Sequence, residues 1–351
     1  MRISGEASAL SKIIRNPNRT FKISFSTPEG MHSFNIWPSD SKNELLAEDS
    51  LIEDAAFYRA MHLRKTINPQ INNKAAADLI GNTFRLNFFG RRSGKPYLLE
   101  VRLHPSRGIL KSRLIHASSH FSMDCANHDS LLSSTQTLQS LSTSPITTPK
   151  GQKRIILLSV DSDYNFYRNF SSTRGNKRRS VRNTRNALRA IVNRVNAIYS
   201  EQLNILIRLQ SLKTDHSNNR SIKSRNSSRL LNRFREFTVR RKHLKKADIY
   251  HLFTGNALQG SVVGLAYVGS TCRNNLGDYS FGLTRITHPA LQALVTAHEI
   301  AHNLGANHID GTDSIMSPVL SPNKNRFISQ SIEQIFNFIQ EFGICLNVTS
   351  A

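Results

Sequence analysis

Three histidines and one glutamate stand in a spacing that could hold a metal ion and use it. They lie in His298-Glu299-Ile300-Ala301-His302-Asn303-Leu304-Gly305-Ala306-Asn307-His308. On a helix, residues four apart share a face, so His298 and His302 present two imidazoles one turn apart. Ala297, Ile300, Ala301 and Leu304 form a separate apolar stripe that can seat such a helix in a core, and the spacing predicts a helix over 288–304. Gly305 can end it in a left-handed cap. The turn that follows brings His308 back as a third ligand. Three protein ligands with a fourth position open is the arrangement of a catalytic zinc, whereas structural zinc is closed by four. Glu299, beside the first ligand but not itself one, is placed to take a proton from water and hand it to a leaving group. The chemistry implied is hydrolysis of a polarised carbonyl.

The elements that must position this helix read as an α/β domain. Ile155–Val160 is a short apolar run suited to a strand covered on both faces. Leu188, Ile191, Val192, Val195 and Tyr199 recur at helical spacing, and Leu203, Ile205, Ile207 and Leu209 alternate as in a strand. Lys213–Ser228 reads as a long polar loop, followed by a helix around Leu230–Phe237. Strands are expected near Ile249–Phe253, Val262–Val268 and Tyr279–Leu283. Strands alternating with helices argue a mostly parallel sheet.

Ahead of this domain, residues 1–128 read as a β-rich region. Alternation at Phe21, Ile23, Phe25, at Phe84, Leu86, Phe88 and at Leu99, Val101, Leu103 marks its strands, and a helix is expected near 51–64. Residues 129–152 are rich in Ser and Thr and close on Ser144-Pro145-Ile146-Thr147-Thr148-Pro149, the composition of a linker. Lys153-Arg154 after it is either a processing site or a chance dibasic pair. The catalytic domain is then expected over 153–351.

The chain has 47 Lys and Arg against 24 Asp and Glu, a net charge of +23. The densest runs, Lys177-Arg178-Arg179 and Arg240-Arg241-Lys242-His243-Leu244-Lys245-Lys246, sit in no nucleic-acid-binding signature. They read as solvated surface able to bind anionic surfaces weakly, with no specific nucleic-acid partner. No apolar run approaches the 18 residues or so of a membrane span, so no transmembrane segment is expected. Met1-Arg2-Ile3-Ser4-Gly5-Glu6 lacks the apolar core of a secretory signal. Three cysteines exclude a disulfide-dense scaffold and a cysteine-ligated zinc finger.

Beyond the histidine motif, Ser314-Ile315-Met316-Ser317-Pro318 follows at short range, and a methionine in a tight turn after such a motif is a hallmark of metzincins. The second half resembles the catalytic domain of the adamalysin/reprolysin (ADAM-type) family. The resemblance covers roughly 153–347 and is carried by Ile191–Tyr199, Ala247–Gly255, Val263–Gly269, the zinc motif with Met316, and Phe327–Ile335. It implies a metzincin fold, a twisted mostly parallel sheet with flanking helices, and zinc-dependent endopeptidase activity on protein or peptide substrates. It assigns His298, His302 and His308 to zinc, Glu299 to general base, and Met316 to the turn. The strand holding Gly264, Leu265 and Ala266 would pair with an extended substrate, and Pro318 and Val319 would wall the main specificity pocket. Cys272 and Cys345 match two family cysteines that pair, which implies a disulfide; the alternative is two buried thiols in a reducing compartment. The first region more weakly resembles the family's propeptide, through Phe84–Phe88 and Lys95–Val101. Cys125 is then the one candidate for a thiol holding the enzyme latent, although Met123-Asp124-Cys125-Ala126-Asn127 lacks the usual flanks. The resemblance implies a secreted or extracellular protein. Two departures stand out: Ile309 follows the third histidine where the family carries Asp, with Asp310 one place later. The first-strand acid used for calcium is absent near Ile155–Leu157, which argues against Ca2+. Ser331 and Gln334 form a capping box for the last helix. The rival reading is a catalytically silent, metal-stabilised binding protein with a basic surface.

Overall fold

The computed structural model describes residues 20–27, 30–38, 55–62, 74–80, 83–92, 95–104, 108–116, 123–125, 152–171, 176–218, 222–241, 246–272, 279–321 and 324–349. The chain forms two compact units, one of Met1–Phe121 with Ser321–Asn325, the other of Ser122–Leu320 with Arg326–Ala351. The expected linker at 129–152 lies, except for Gln152, outside the described residues.

The first unit carries a seven-stranded sheet: β1 (Phe21–Thr27), β2 (Gly30–Pro38), β3 (Ala55–His62), β4 (Lys74–Ile80), β5 (Thr83–Arg92), β6 (Lys95–His104) and β7 (Gly108–His116). Their order in the sheet is their order in the chain, and each pair is antiparallel. The alternating residues meet across β5 and β6, with Phe84 opposite Leu103, Leu86 opposite Val101 and Phe88 opposite Leu99. All six are buried, so one face of each strand supplies the apolar layer and the register follows from it. The helix expected near 51–64 is not formed: Ala55–His62 is strand β3, paired with β2 and β4. Its alanines favour a helix in isolation, and pairing on both edges overrides that preference.

The second unit contains β8 (Met123–Cys125), β9 (Arg154–Ser162), α1 (Tyr164–Arg168), α2 (Lys177–Gln202), β10 (Ile205–Thr214), α3 (Ser227–Val239), β11 (Ile249–Thr254), β12 (Val262–Ala266), β13 (Phe281–Arg285), α4 (Pro289–Asn303), β14 (Val319–Leu320), α5 (Ser329–Phe342) and β15 (Asn347–Val348). Its eight-stranded sheet runs β10-β9-β11-β13-β12-β8-β14, with β15 on β9. From β10 to β13 the strands are parallel, and β12 turns antiparallel to β13.

The starts of α2 and α3 have a local cause. The Asn176 side chain accepts from Arg179 N–H at 2.9 Å, and Asn226 from Arg229 N–H at 2.8 Å, both N-caps. Helix α2 stops at Leu203 because Asn204 takes a left-handed conformation, φ 54°. Its inner face, Leu188, Ile191, Val192, Val195 and Tyr199, is buried; each such apolar side chain contributes about 1.5–3 kcal/mol when taken from water. Two boundaries differ from expectation. Lys213 and Thr214 complete β10, and Ser227 and Ser228 open α3, so the polar loop is shorter at both ends. Helix α5 begins on Ile328 with no side-chain cap. Ser331 lies inside the helix with Oγ 3.4 Å from Ser314 Oγ, and Gln334 Oε1 accepts from Asn307 N–H at 3.0 Å. Tertiary partners take the side chains that a capping box would use. Among the described residues no helix is long and apolar enough to cross a membrane.

Candidate metal centre

Helix α4 opens with Pro289 in its first turn, where the missing N–H is no loss. Ala297, Ile300, Ala301 and Leu304 are fully buried, as their stripe predicts. Three further ties fix the helix against rotation. The Tyr199 hydroxyl donates to the Ala297 carbonyl at 2.8 Å. The buried Asn303 amide donates to the Tyr267 carbonyl at 2.9 Å and to the Phe281 carbonyl at 3.0 Å. Behind the helix, His251 Nε2 lies 2.8 Å from Thr284 Oγ1, and Thr284 Oγ1 lies 3.2 Å from Thr296 Oγ1.

The helix ends as a Schellman motif. Gly305 N–H donates to the His302 carbonyl at 2.9 Å, and Ala306 N–H to the Ala301 carbonyl at 3.0 Å. Gly305 has φ +87°, and a Cβ there would lie 2.8 Å from Phe338. Only glycine fits both demands. The reversal sends His308 back over the helix, and the three imidazoles converge: His298 Nε2 is 3.0 Å and His302 Nε2 is 3.1 Å from His308 Nε2.

The other ring nitrogens decide what these atoms can do. His298 Nδ1 lies 2.6 Å from the Ile315 carbonyl and His302 Nδ1 lies 2.7 Å from the Ala306 carbonyl. A carbonyl can only accept, so each Nδ1 carries the proton and each Nε2 faces inward as a lone pair. Burial, with the neighbouring imidazoles adding to it, holds His298 well below the ordinary histidine range and His302 down to about 3. Converging neutral nitrogens that cannot take a proton from water readily call for a cation, and three nitrogens suit zinc.

Ser314–Ser317 forms the turn beneath the motif. Ser317 N–H donates to the Ser314 carbonyl, Met316 N–H to Ser314 Oγ at 3.1 Å, and Ile309 N–H to the Met316 carbonyl at 2.9 Å. Met316 is fully buried. One turn thus orients His298 through Ile315 and tethers Ile309, the residue after His308, through Met316. Ile309 is buried and Asp310 exposed.

Glu299 is fully buried, against Gly264 of β12: a Cβ at 264 would fall 2.0 Å from Glu299 Oε1. Only a glycine lets strand and carboxylate approach so closely. Gly264, Leu265 and Ala266 are buried, and Pro318 and Val319 are half-buried. Between these two walls runs β8. Val262 pairs with Asp124 and Gly264 with Cys125 in parallel, while Val319 pairs with Asp124 and Leu320 with Met123 in antiparallel. The Cys125 side chain lies outside the described ones. Among the described residues the metal-capable cluster is His298, His302 and His308. Cys272 and Cys345 are joined in a disulfide, Cα to Cα 5.5 Å.

The sequence motif singled out the three histidines that converge and Glu299 beside them, but not their supports. Tyr199 read only as a helix-stripe residue, and the Ile315 and Ala306 carbonyls carry no side-chain signal at all. Unlike the exposed His216, His251 is fully buried, inside a strand whose residues alternate too little to mark it.

Residues 151–336 match Reprolysin_5, metallo-peptidase family M12. Over 104 residues the chain is 38% identical to zinc metalloproteinase recombinant fibrinogenase II of Deinagkistrodon acutus, a match covering 27% of this chain and 43% of that protein. It is 36% identical over 109 residues to snake venom metalloproteinase atroxlysin-1 of Bothrops atrox, covering 28% and 51%. With disintegrin and metalloproteinase domain-containing protein 22 of Mus musculus it shares 33% over 129 residues, covering 36% and 14%. The matches thus span about half or less of these relatives. The crystal structure of metalloproteinase-II from Bacteroides fragilis shares the fold, with a TM-score of 0.60, 15% identity and 96% of each chain covered.

Proposed function

From a chain that belongs to metallo-peptidase family M12, of the adamalysin/reprolysin metzincin type, we propose a zinc endopeptidase that cleaves protein or peptide substrates. The carrying observation is the convergence of three Nε2 atoms, those of His298 and His302 set as lone pairs by the carbonyl behind each ring. Zinc, when bound by His298, His302 and His308, supplies a Lewis acid for the scissile carbonyl and brings the pKa of water at the site to roughly 7. Glu299 takes the proton from the attacking water and delivers it to the departing amine. Its burial against Gly264 keeps other water from competing for that proton. An extended substrate would pair with Gly264, Leu265 and Ala266 and set a side chain against Pro318 and Val319. Supporting this, both walls already accept a strand, β8.

That occupancy also supports latency. In this reading residues 1–128 form a pro-region whose segment Met123–Cys125 fills the substrate groove until the chain is cut within 129–152, with Cys125 in register with Gly264. The Cys272–Cys345 disulfide supports an oxidising, secreted or extracellular setting.

The test uses the full chain and the same chain cut within 129–152. One zinc per chain in both, with peptide-library cleavage after the cut, is expected. Glu299→Gln should keep its zinc and lose at least about a thousandfold in turnover. Zinc without cleavage in either form would instead assign a silent metal-stabilised domain, and absence of zinc would overturn the site.

A further inference from the structure

Under helix α4 one cross-strand pair receives two of its side chains. Gly264 of β12 pairs with Thr284 of β13, and Ala266 with Gly282; residues opposite each other in such a pair point to the same face. On that face Thr284 Oγ1 meets Thr296 Oγ1 at 3.2 Å, and the missing side chain of Gly264 makes room for the Glu299 carboxylate. Thr296 and Glu299 are three apart and Asn303 follows four later, so all three lie on the sheet-facing side of the helix. On the neighbouring strand His251 is in register with Gly282, where a Cβ would lie 3.0 Å from its Nδ1 and crowd the ring. His251, Thr284, Thr296 and Glu299 are all fully buried.

The protons along this line have one consistent arrangement. Thr296 Oγ1 donates to the Gln292 carbonyl at 2.8 Å, which uses its only hydrogen, so toward Thr284 it accepts. The Thr284 hydrogen therefore goes to Thr296, and toward His251 Thr284 accepts in turn. His251 Nε2, 2.8 Å away, is then the protonated nitrogen, and Nδ1 keeps a lone pair. The opposite tautomer would bury an N–H that has no acceptor among the described residues, and an orphaned N–H is the rarer and costlier case. Donation thus runs one way, from β11 through β13 into α4, and ends on the helix backbone at Gln292.

We propose that Thr284, backed by His251, is a positioning residue for Glu299: through Thr296 it fixes the rotation of α4 that sets the carboxylate against Gly264. The assignment rests on Glu299 being the general base. A group about 5–6 Å from a helix axis moves about 1 Å when the helix turns by about 10°, and misplacement of that size slows a reaction by up to about a hundredfold. Tyr199 and Asn303 tie the same helix at other points, so losing the Thr284 link releases only part of that effect. The two rings of α4 that face the metal position keep their own partners, the Ile315 and Ala306 carbonyls. The loss therefore falls mainly on the base.

The experiment follows Thr284→Val, which keeps the shape and removes the hydroxyl, in the full chain cut within 129–152. On a cleaved peptide kcat should fall about tenfold, with KM within about twofold of the parent and zinc still at one per chain. Thr284→Ser, which keeps the hydroxyl, should return kcat to within about threefold. His251→Leu should match Thr284→Val, and the two together should lose little more than either alone, because both cut the same line. In the zinc-free protein Thr284→Val should speed hydrogen exchange in α4 around Thr296. Val192→Ala, which opens a cavity on α2, should lower the denaturation midpoint without lowering kcat. A Thr284→Val kcat within about twofold of the parent overturns the positioning and leaves the peptidase reading standing. An equal fall in Thr284→Ser or in Val192→Ala does the same, since it would report loosened packing. Loss of zinc in Thr284→Val also overturns it, because the link would then be holding the histidines. No cleavage by the parent, or full turnover by Glu299→Gln, removes the peptidase reading and the positioning with it, whatever the exchange shows.

Discussion

In the seven-stranded sheet every pairing joins strands adjacent in the chain, and among its described residues the buried polar side chains are His32, Asn87 and Glu100. In the eight-stranded sheet the parallel neighbours come from distant segments, and helix α4 alone buries Gln292, Thr296, His298, Glu299, His302 and Asn303. The first sheet is held by alternation and apolar cross-strand contact, which local sequence can specify. The second must satisfy a dense set of interior polar groups. Each needs a partner, because a buried polar group left without one costs about 1–3 kcal/mol, and His298 and Asn303 find theirs on other elements. Chemistry sits where that cost is met.

Breaking each sheet by its own means should separate the two. Leu86→Ala removes a fully buried side chain from β5 and should cost about 2–5 kcal/mol. Hydrogen exchange should speed in β4–β7, while zinc content stays at one per chain. Protection lost equally in α4 would show that the comparison is wrongly drawn. Gly305→Ala forces a left-handed φ on alanine and sets its Cβ against Phe338, which should cost about 1–3 kcal/mol. Here exchange should speed in α4 and α5, and zinc affinity should weaken because His308 returns through that turn.

The smallest effect concerns pH. Burial lowers His251 from an ordinary 6.5 to about 3. Between those values the unfolded chain binds the proton and the fold does not, so stability falls as pH falls, by at most about 1.4 kcal/mol per unit. His251→Gln should flatten that slope in denaturant titrations of the second unit between pH 6.5 and 4. Asp161 is raised from 3.8 to about 6, also by burial, and so contributes an opposite slope; it is common to both proteins and cancels in their difference. An unchanged slope would mean that His251 is not the buried neutral group behind the zinc helix.

Much of the site was legible because its information is local. An i,i+4 histidine pair, a glutamate beside it and a glycine three residues on define a helix end from one short segment. The helix expected at 51–64 failed for the opposite reason: Ala55–His62 prefers a helix by itself and is a strand because β2 and β4 flank it. The capping box at Ser331 failed in the same way, since Ser314 and Asn307 claim its side chains.

By itself, then, the sequence determined the three histidines that converge, the glutamate beside the first of them, the glycine that turns the chain, and the alternation of β5 and β6. Their spacing along one backbone is already a spacing in space. Only the tertiary structure decided which nitrogen of each helix histidine faces inward, because the Ile315 and Ala306 carbonyls that settle it are backbone groups without a side-chain signature. It also decided that Gly264 lies against Glu299 and that β8 runs between β12 and β14. These depend on contacts between segments far apart in the chain, whose pairing is chosen by the whole packed interior.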